Sequence, residues 1–238
     1  MKPVSQSRLS IFRECPFRYK LASIYKLDPI FFTLEHMDVG KYVHKSIELF
    51  YKHNFTLKAS QNDILYYTYN NLKSIWDTSL GTELYTKAYT CLQHYSLWQS
   101  DYDLLTMPVA EDDIYSKKWH GIVDWFYIPK QKAIDWKTNK SASLSYEYRM
   151  QAQIYKWLIE SKYNINLSHF YFFFLYPNEW RTVAFDKESQ KKVADDVLDL
   201  YDKMSNAYDD DCFPKEPRIQ SACSGCAYRF YCQTLKVD

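Results

Sequence analysis

Glycine is scarce in this chain. Average usage of ~7% would give 238 residues about seventeen glycines, and there are four: Gly40, Gly81, Gly121 and Gly225. A phosphate-cradling G-x4-G-K-[ST] loop is absent, so any ATP-driven step must come from a separate protein. The net charge is only +1, which excludes a global basic field and leaves local patches for any contact with a polyanion. No apolar run approaches the ~20 residues of a membrane-spanning helix. The longest, Phe170 to Tyr176, reads as a buried strand. The opening residues MKPVSQSRLS lack the apolar core of a signal peptide, so a cytoplasmic location and no membrane partner are expected.

What the chain has in excess is aromatic residues, with 23 Tyr and 14 Phe, most of them expected in the core and the rest available to line a binding surface. At 47% hydrophobic and 25% charged, the composition is that of a globular protein, and the length suits one domain over residues 1–238. That domain is expected to include a helical insert at about 55–105 and a C-terminal cysteine cluster at 209–238.

The pattern turns on residues 119–139, WHGIVDWFYIPKQKAIDWKTN, which reads as two apolar strands around a Pro-Lys-Gln-Lys turn. Side chains on a strand alternate, so Asp135 and Lys137 share one face and Trp136 takes the other. Pairing around the turn brings Asp124 alongside. Two carboxylates and an ammonium in one place suit metal-dependent phosphodiester chemistry. Mg²⁺ takes hard oxygen ligands, and a metal so held activates water and offsets the charge that builds on phosphate. The bland alternative is a surface hairpin with an ordinary Asp–Lys pair.

The flanking segments supply further candidates. Residues 5–25 open with a capping serine and carry helical apolar spacing that Cys15-Pro16 kinks or restarts. Residues 38–53 form a second helix capped by Asp38, with Gly40 and His44 one turn apart. Two more helical patterns cover 61–77 and 82–100, and a strand over 106–117 offers Glu111 as an extra acidic group. A helix at 145–162 places Gln151 and Tyr155 on one face, two strands flank a Pro-Asn turn within 169–186, and a charged helix follows over 187–208. This order implies a mixed sheet flanked by helices, an α/β fold.

Near the end stands Cys223-x2-Cys226-x5-Cys232 with Gly225 inside the first loop. Thiols so clustered in a reducing compartment point to a metal centre rather than to disulfides. A fourth ligand is needed, from Cys15, Cys91 or Cys212. Spacing alone leaves Zn²⁺ open.

Taken in order, Cys15-Pro16, Gly40-x3-His44, Gly121-x2-Asp124, Asp135-Trp136-Lys137-Thr138, Gln151-x3-Tyr155 and the cysteine tail resemble the RecB-type branch of the PD-(D/E)xK nucleases. Within that branch they resemble the iron–sulfur subgroup that includes CRISPR-associated adaptation exonucleases and the nuclease domain of AddB. It implies a restriction-endonuclease-like core. It also implies Mg²⁺ or Mn²⁺ held by His44, Asp124, Asp135 and the Trp136 carbonyl, with Lys137 as catalytic lysine and Gln151 and Tyr155 positioning DNA or catalytic groups. By the same resemblance Cys15, Cys223, Cys226 and Cys232 ligate a [4Fe–4S] cluster that clasps the two chain ends. Val123 replaces the proline of the superfamily's name, and Asp135 stands where many members have Glu. The activity implied is exonucleolytic hydrolysis of single-stranded DNA ends, 5′ to 3′, in CRISPR adaptation, recombination or phage DNA processing. A partner helicase or CRISPR adaptation proteins would accompany it, in the host cytoplasm if the chain is phage-encoded. The rival is a catalytically silent DNA-binding or scaffolding subunit that keeps the fold.

Overall fold

The computed structural model describes residues 1–30, 35–218 and 223–234, with the side chains of 35–38 outside the description. Chain order runs α1 (Gln6–Glu14), α2 (Pro16–Tyr19), a π-helical turn (Lys20–Ile24), α3 (Glu35–His53), α4 (Gln61–Ile75) and α5 (Gly81–Asp101). Then come β1 (Val109–Tyr115), β2 (His120–Tyr127), β3 (Lys132–Lys137), α6 (Tyr146–Tyr163), β4 (His169–Phe174), β5 (Glu179–Ala184), α7 (Glu188–Asp209) and α8 (Arg229–Thr234).

Local chemistry sets the main boundaries. Ser5 caps α1 by accepting from the Arg8 N–H, and the chain turns extended at Cys15 because Pro16 disfavours helix in the residue before it. The helix restarts with Pro16 in its first turn, where no N–H is needed. Ser60 and Asp63 form a reciprocal capping box on α4, and Ser145 caps α6. Helix α3 starts before Asp38, whose capping role falls on a side chain outside the described residues.

The five strands lie in the order β1-β2-β3-β4-β5, antiparallel except for the parallel β3–β4 pair. A parallel pair needs a crossover, and α6 supplies it. The sheet is therefore mixed and covered on both faces, as the order of elements implies. On one face Leu9, Phe12, Met150, Ile154, Leu158, Val193 and Val197 from α1, α6 and α7 pack on Phe126, Phe170 and Phe172. On the other, Val43, Ile47, Ile64, Leu72, Leu92 and Tyr95 from α3, α4 and α5 pack on Trp125, Tyr127, Ile134, Trp136 and Phe173.

The helical stretch 55–105 thus builds one wall of the core, and its aromatics are largely spent on packing. The Trp98 ring meets those of Trp125, Trp136 and Trp180 at centroid distances of 5.3, 5.0 and 6.0 Å. Replacing Trp98 with Ala is expected to cost about 3 kcal/mol, the low end for Trp→Ala because the ring is partly exposed. A urea unfolding midpoint unchanged from wild type would contradict this packing.

Candidate active site

Strict alternation along β2 breaks at Asp124. Val123 and Phe126, three residues apart, both enter the core on the α6 side, while Trp125 and Tyr127 enter the opposite one. Both neighbouring ladders open at the same place. Against β1 the register runs Ala110↔Trp125 and Asp112↔Val123, which sets Glu111 opposite Asp124 without pairing them. Against β3 the last pair is Trp125↔Ile134, one step short of Asp124 and Asp135.

The freed groups find new partners. The Trp136 N–H donates to Asp124 Oδ2 at 2.7 Å, so a carboxylate replaces the ladder carbonyl. Glu111 sits at φ 51°, a left-handed conformation that costs a non-glycine residue roughly 1 kcal/mol. Its Oε1 is buried without a hydrogen-bond partner. A buried, unpaired carboxylate oxygen on strained backbone calls for a ligand or a proton.

His44 approaches from α3, where Gly40 one turn earlier lets the helix close on the β3 end. A Cβ at Gly40 would lie 3.3 Å from Thr138 Oγ1. His44 Nδ1 is 3.4 Å from Asp124 Oδ1 and Nε2 is 3.1 Å from the Trp136 carbonyl. His44, Glu111 and Asp124 each offer an atom within 4.8 Å of the others, a set able to hold a metal ion.

Asp135 and Lys137 stand beside this trio on the α6 face of β3. Lys137 Nζ lies 2.5 Å from Asp135 Oδ2 and donates to Gln151 Oε1 at 3.0 Å, while Gln151 Nε2 donates to Asp135 Oδ1 at 2.6 Å. One amide therefore fixes both the lysine and the aspartate. Lys137 also lies over the Tyr148 ring, 5.0 Å from its centroid. Tyr155 is buried one turn beyond Gln151 and packs on Gly121, where a Cβ would fall 2.6 Å from its ring. That close approach is why position 121 needs glycine.

All the sequence-derived residues of the hairpin, α3 and α6 converge here. Glu111 joins them more closely than its sequence signal suggested, and so does Tyr148, whose signal is its place three residues before Gln151 on the same helix face. Asp135 adjoins the trio: Gln151 donates to its Oδ1 and the Lys137 ammonium pairs with its Oδ2, a buried oxygen with no hydrogen-bond partner, while Glu111 completes the close group with His44 and Asp124.

At the chain ends, Cys15, Cys223, Cys226 and Cys232 line one cavity of about 220 Å³ with Phe17 and Tyr228. Backbone bonds stitch the ends around it: Arg218 N–H to the Glu14 carbonyl at 2.8 Å and Ile30 N–H to the Ala227 carbonyl at 3.0 Å. Of the other candidates for a fourth thiol, Cys91 is buried in the α5 core and Cys212 is exposed.

With this geometry in place, comparison with known proteins places the chain. The family model of the PD-(D/E)XK nuclease superfamily matches residues 3–233, and the chain belongs to that superfamily. Membership implies a metal-dependent nuclease with DNA as substrate. No curated protein matches the chain in sequence. Among solved structures, the crystal structure of SSO0001 aligns at 16% identity over 85% of this chain and 98% of that one, with a TM-score of 0.35. That overlap is too loose to carry an argument. Among the described residues no helix is long and apolar enough to cross a membrane.

The site's electrostatics favour bound protons. Burial pushes His44 down, but Asp124, Glu111 and Asp135 outweigh it and hold the imidazole up at about 9, consistent with both ring nitrogens facing oxygens. Burial, reinforced by Asp124, raises Glu111 to about 8, and burial raises Asp135 to about 6 against the pull of Lys137. All three lie above their unfolded values, so between those limits the folded chain holds more protons than the unfolded one. Stability must then fall as pH rises. In EDTA the melting temperature is expected to drop between pH 6 and pH 9, and Mn²⁺ to remove most of that drop. A melting temperature that climbs over the same interval in EDTA would contradict the assignment.

Proposed function

We propose that this chain is a DNA exonuclease hydrolysing phosphodiester bonds at single-stranded ends. The observation that carries the reading is the meeting of His44, Glu111 and Asp124 within one ligand set, flanked by Asp135, the Trp136 carbonyl and Lys137. A binding module has no use for that combination. The donor set, one imidazole and hard oxygens, fits Mg²⁺ or Mn²⁺. When bound, such an ion activates water and offsets charge on the phosphate.

The protein's own groups do the rest. His44, once neutral, would offer a ring nitrogen to the ion, and Glu111 and Asp124 would bring negative charge to the same point. Asp135 and Gln151 hold the Lys137 ammonium beside them, where it neutralises charge on the scissile phosphate and orients the attacking water. Tyr155, wedged on Gly121, backs this arrangement from α6. Preference for ends and 5′ to 3′ polarity follow from the order of motifs that resembles the RecB-type exonucleases. The same resemblance suggests CRISPR adaptation, recombination or phage DNA processing as the setting, with a helicase or adaptation proteins as partners.

Cys15, Cys223, Cys226 and Cys232 would hold the [4Fe–4S] cluster. What supports this reading is the meeting of the four cysteines in one cavity together with the resemblance to the iron–sulfur subgroup, and tetrahedral zinc on the same four thiols is the alternative. The cluster's role is to tie α1–α2 to the C-terminal segment, where it stabilises the fold without taking part in hydrolysis.

The test is cleavage of end-labelled single- and double-stranded DNA with Mn²⁺ or Mg²⁺ against EDTA, by protein purified without oxygen. Cleavage from one end that needs metal and falls roughly 10²–10⁴-fold in Lys137→Ala is expected. No cleavage by folded, cluster-loaded wild type on either substrate would favour the scaffolding subunit.

A further inference from the structure

A groove of about 690 Å³ opens beside the site, lined by Gly40, Lys87, Lys137, Asn139, Lys140 and Tyr148 among others. Its volume lies within the range of small-molecule sites. Three of its described lining residues are lysines and none is a carboxylate. Lys137 belongs to the hydrolytic site, but the other two do nothing for it.

Lys87 comes from α5 in the helical stretch 55–105. It shares a helix face with Cys91 and His94 at i, i+4 and i+7. His94 Nδ1 donates to the Leu175 carbonyl at 2.6 Å, and the Leu175 N–H donates to the Lys137 carbonyl at 2.7 Å. These bonds bind that face of α5 to the ends of β3 and β4, and Lys87 lines the groove together with Lys140 of the loop after β3. Lys87 is only 8% exposed and forms no hydrogen bond or ion pair with a described residue, and its ammonium lies 5.6 Å from the centre of the Tyr176 ring. Glu83, one turn away, borders the adjoining hollow without pairing with it. Lys140 is exposed and likewise unpaired among the described residues. A nearly buried cation facing a second cation is unfavourable unless an anion joins them. Burial and Lys140 accordingly depress the Lys87 ammonium below its ordinary value.

We infer that Lys87 and Lys140 form a phosphate-binding subsite that holds the DNA strand next to the bond cut beside Lys137. This deepens the nuclease reading and rests on it. It also gives the helical insert a task beyond packing: it carries one jaw of the clamp, and the β3–α6 loop carries the other. The phosphate is either the strand's terminal group or an internal diester, both of the same chemistry.

The test measures binding of a fluorescently labelled single strand of eight thymidines, with a 5′-phosphate or a 5′-hydroxyl, in EDTA over a range of salt concentrations. Lys140→Gln changes an exposed side chain and leaves the fold intact, Lys87→Gln removes the buried charge, and Lys87→Arg keeps it. Each Gln variant is expected to bind severalfold more weakly and to flatten the slope of log K against log salt by about 0.7, while Lys87→Arg stays near wild type. A loss confined to the 5′-phosphate strand assigns the terminal group, and equal losses assign an internal one. Unchanged affinity and slope in both Gln variants overturn the subsite. Cleavage by wild type with Mn²⁺, measured alongside, separates the two claims: cleaving protein with unaltered binding in the variants loses the subsite alone. Salt-sensitive, lysine-dependent binding by a protein that never cleaves loses the nuclease alone.

Discussion

The site depends on a carboxylate standing where a backbone carbonyl would ordinarily be. Asp124 takes the Trp136 N–H that the β2–β3 ladder leaves unpaired, and this holds the two strands apart without leaving a buried donor orphaned. The opening turns Trp136's own carbonyl toward His44 and brings Asp124's second oxygen to the same imidazole. On the opposite side the β1–β2 ladder is interrupted at the same residue, and Glu111 swings in on left-handed backbone. One break in a sheet thus brings side chains from three strands and a helix into a set able to hold a metal ion. A continuous ladder would have tied the Trp136 N–H and carbonyl to the β2 backbone and left neither for Asp124 or His44.

Around that break the structure is over-determined. Aromatic packing against Trp125 and Trp136 on one face and Tyr155 against Gly121 on the other leave the strand ends little freedom. Such rigidity offsets the cost of Glu111's backbone and of burying Asp135 beside Lys137. Gln151 is the economical element here: its two ends satisfy an acid and a base at once, so neither is left to reorganise when substrate arrives.

Much of this was legible in the sequence because it is local. Alternation fixed the faces of Asp135 and Lys137, helical spacing joined Gln151 to Tyr155, and Pro16 marked the break between α1 and α2. The mixed sheet followed from the order of elements. What stayed hidden depends on long-range geometry. Nothing in a run of Glu111, Asp112 and Asp113 says which acid will turn inward, since that is decided by a backbone conformation non-glycine residues seldom adopt. Alternation also misplaced nothing until Asp124, where tertiary pairing overrides the period. Lys87 lies in a stretch whose only visible signal was aromatic packing, and its meeting with Lys140 requires the α5 face to be docked through His94. Among the cysteines, only the meeting of the chain ends sets Cys15, and not Cys91 or Cys212, beside the C-terminal trio.

His44, Glu111 and Asp124 are proposed to form a single metal site. Anomalous diffraction from crystals of the protein grown with Mn²⁺ tests it directly. One peak among these three side chains is expected, abolished by Glu111→Gln together with Asp124→Asn. A Mn²⁺ peak elsewhere, or one that survives both changes, would contradict it.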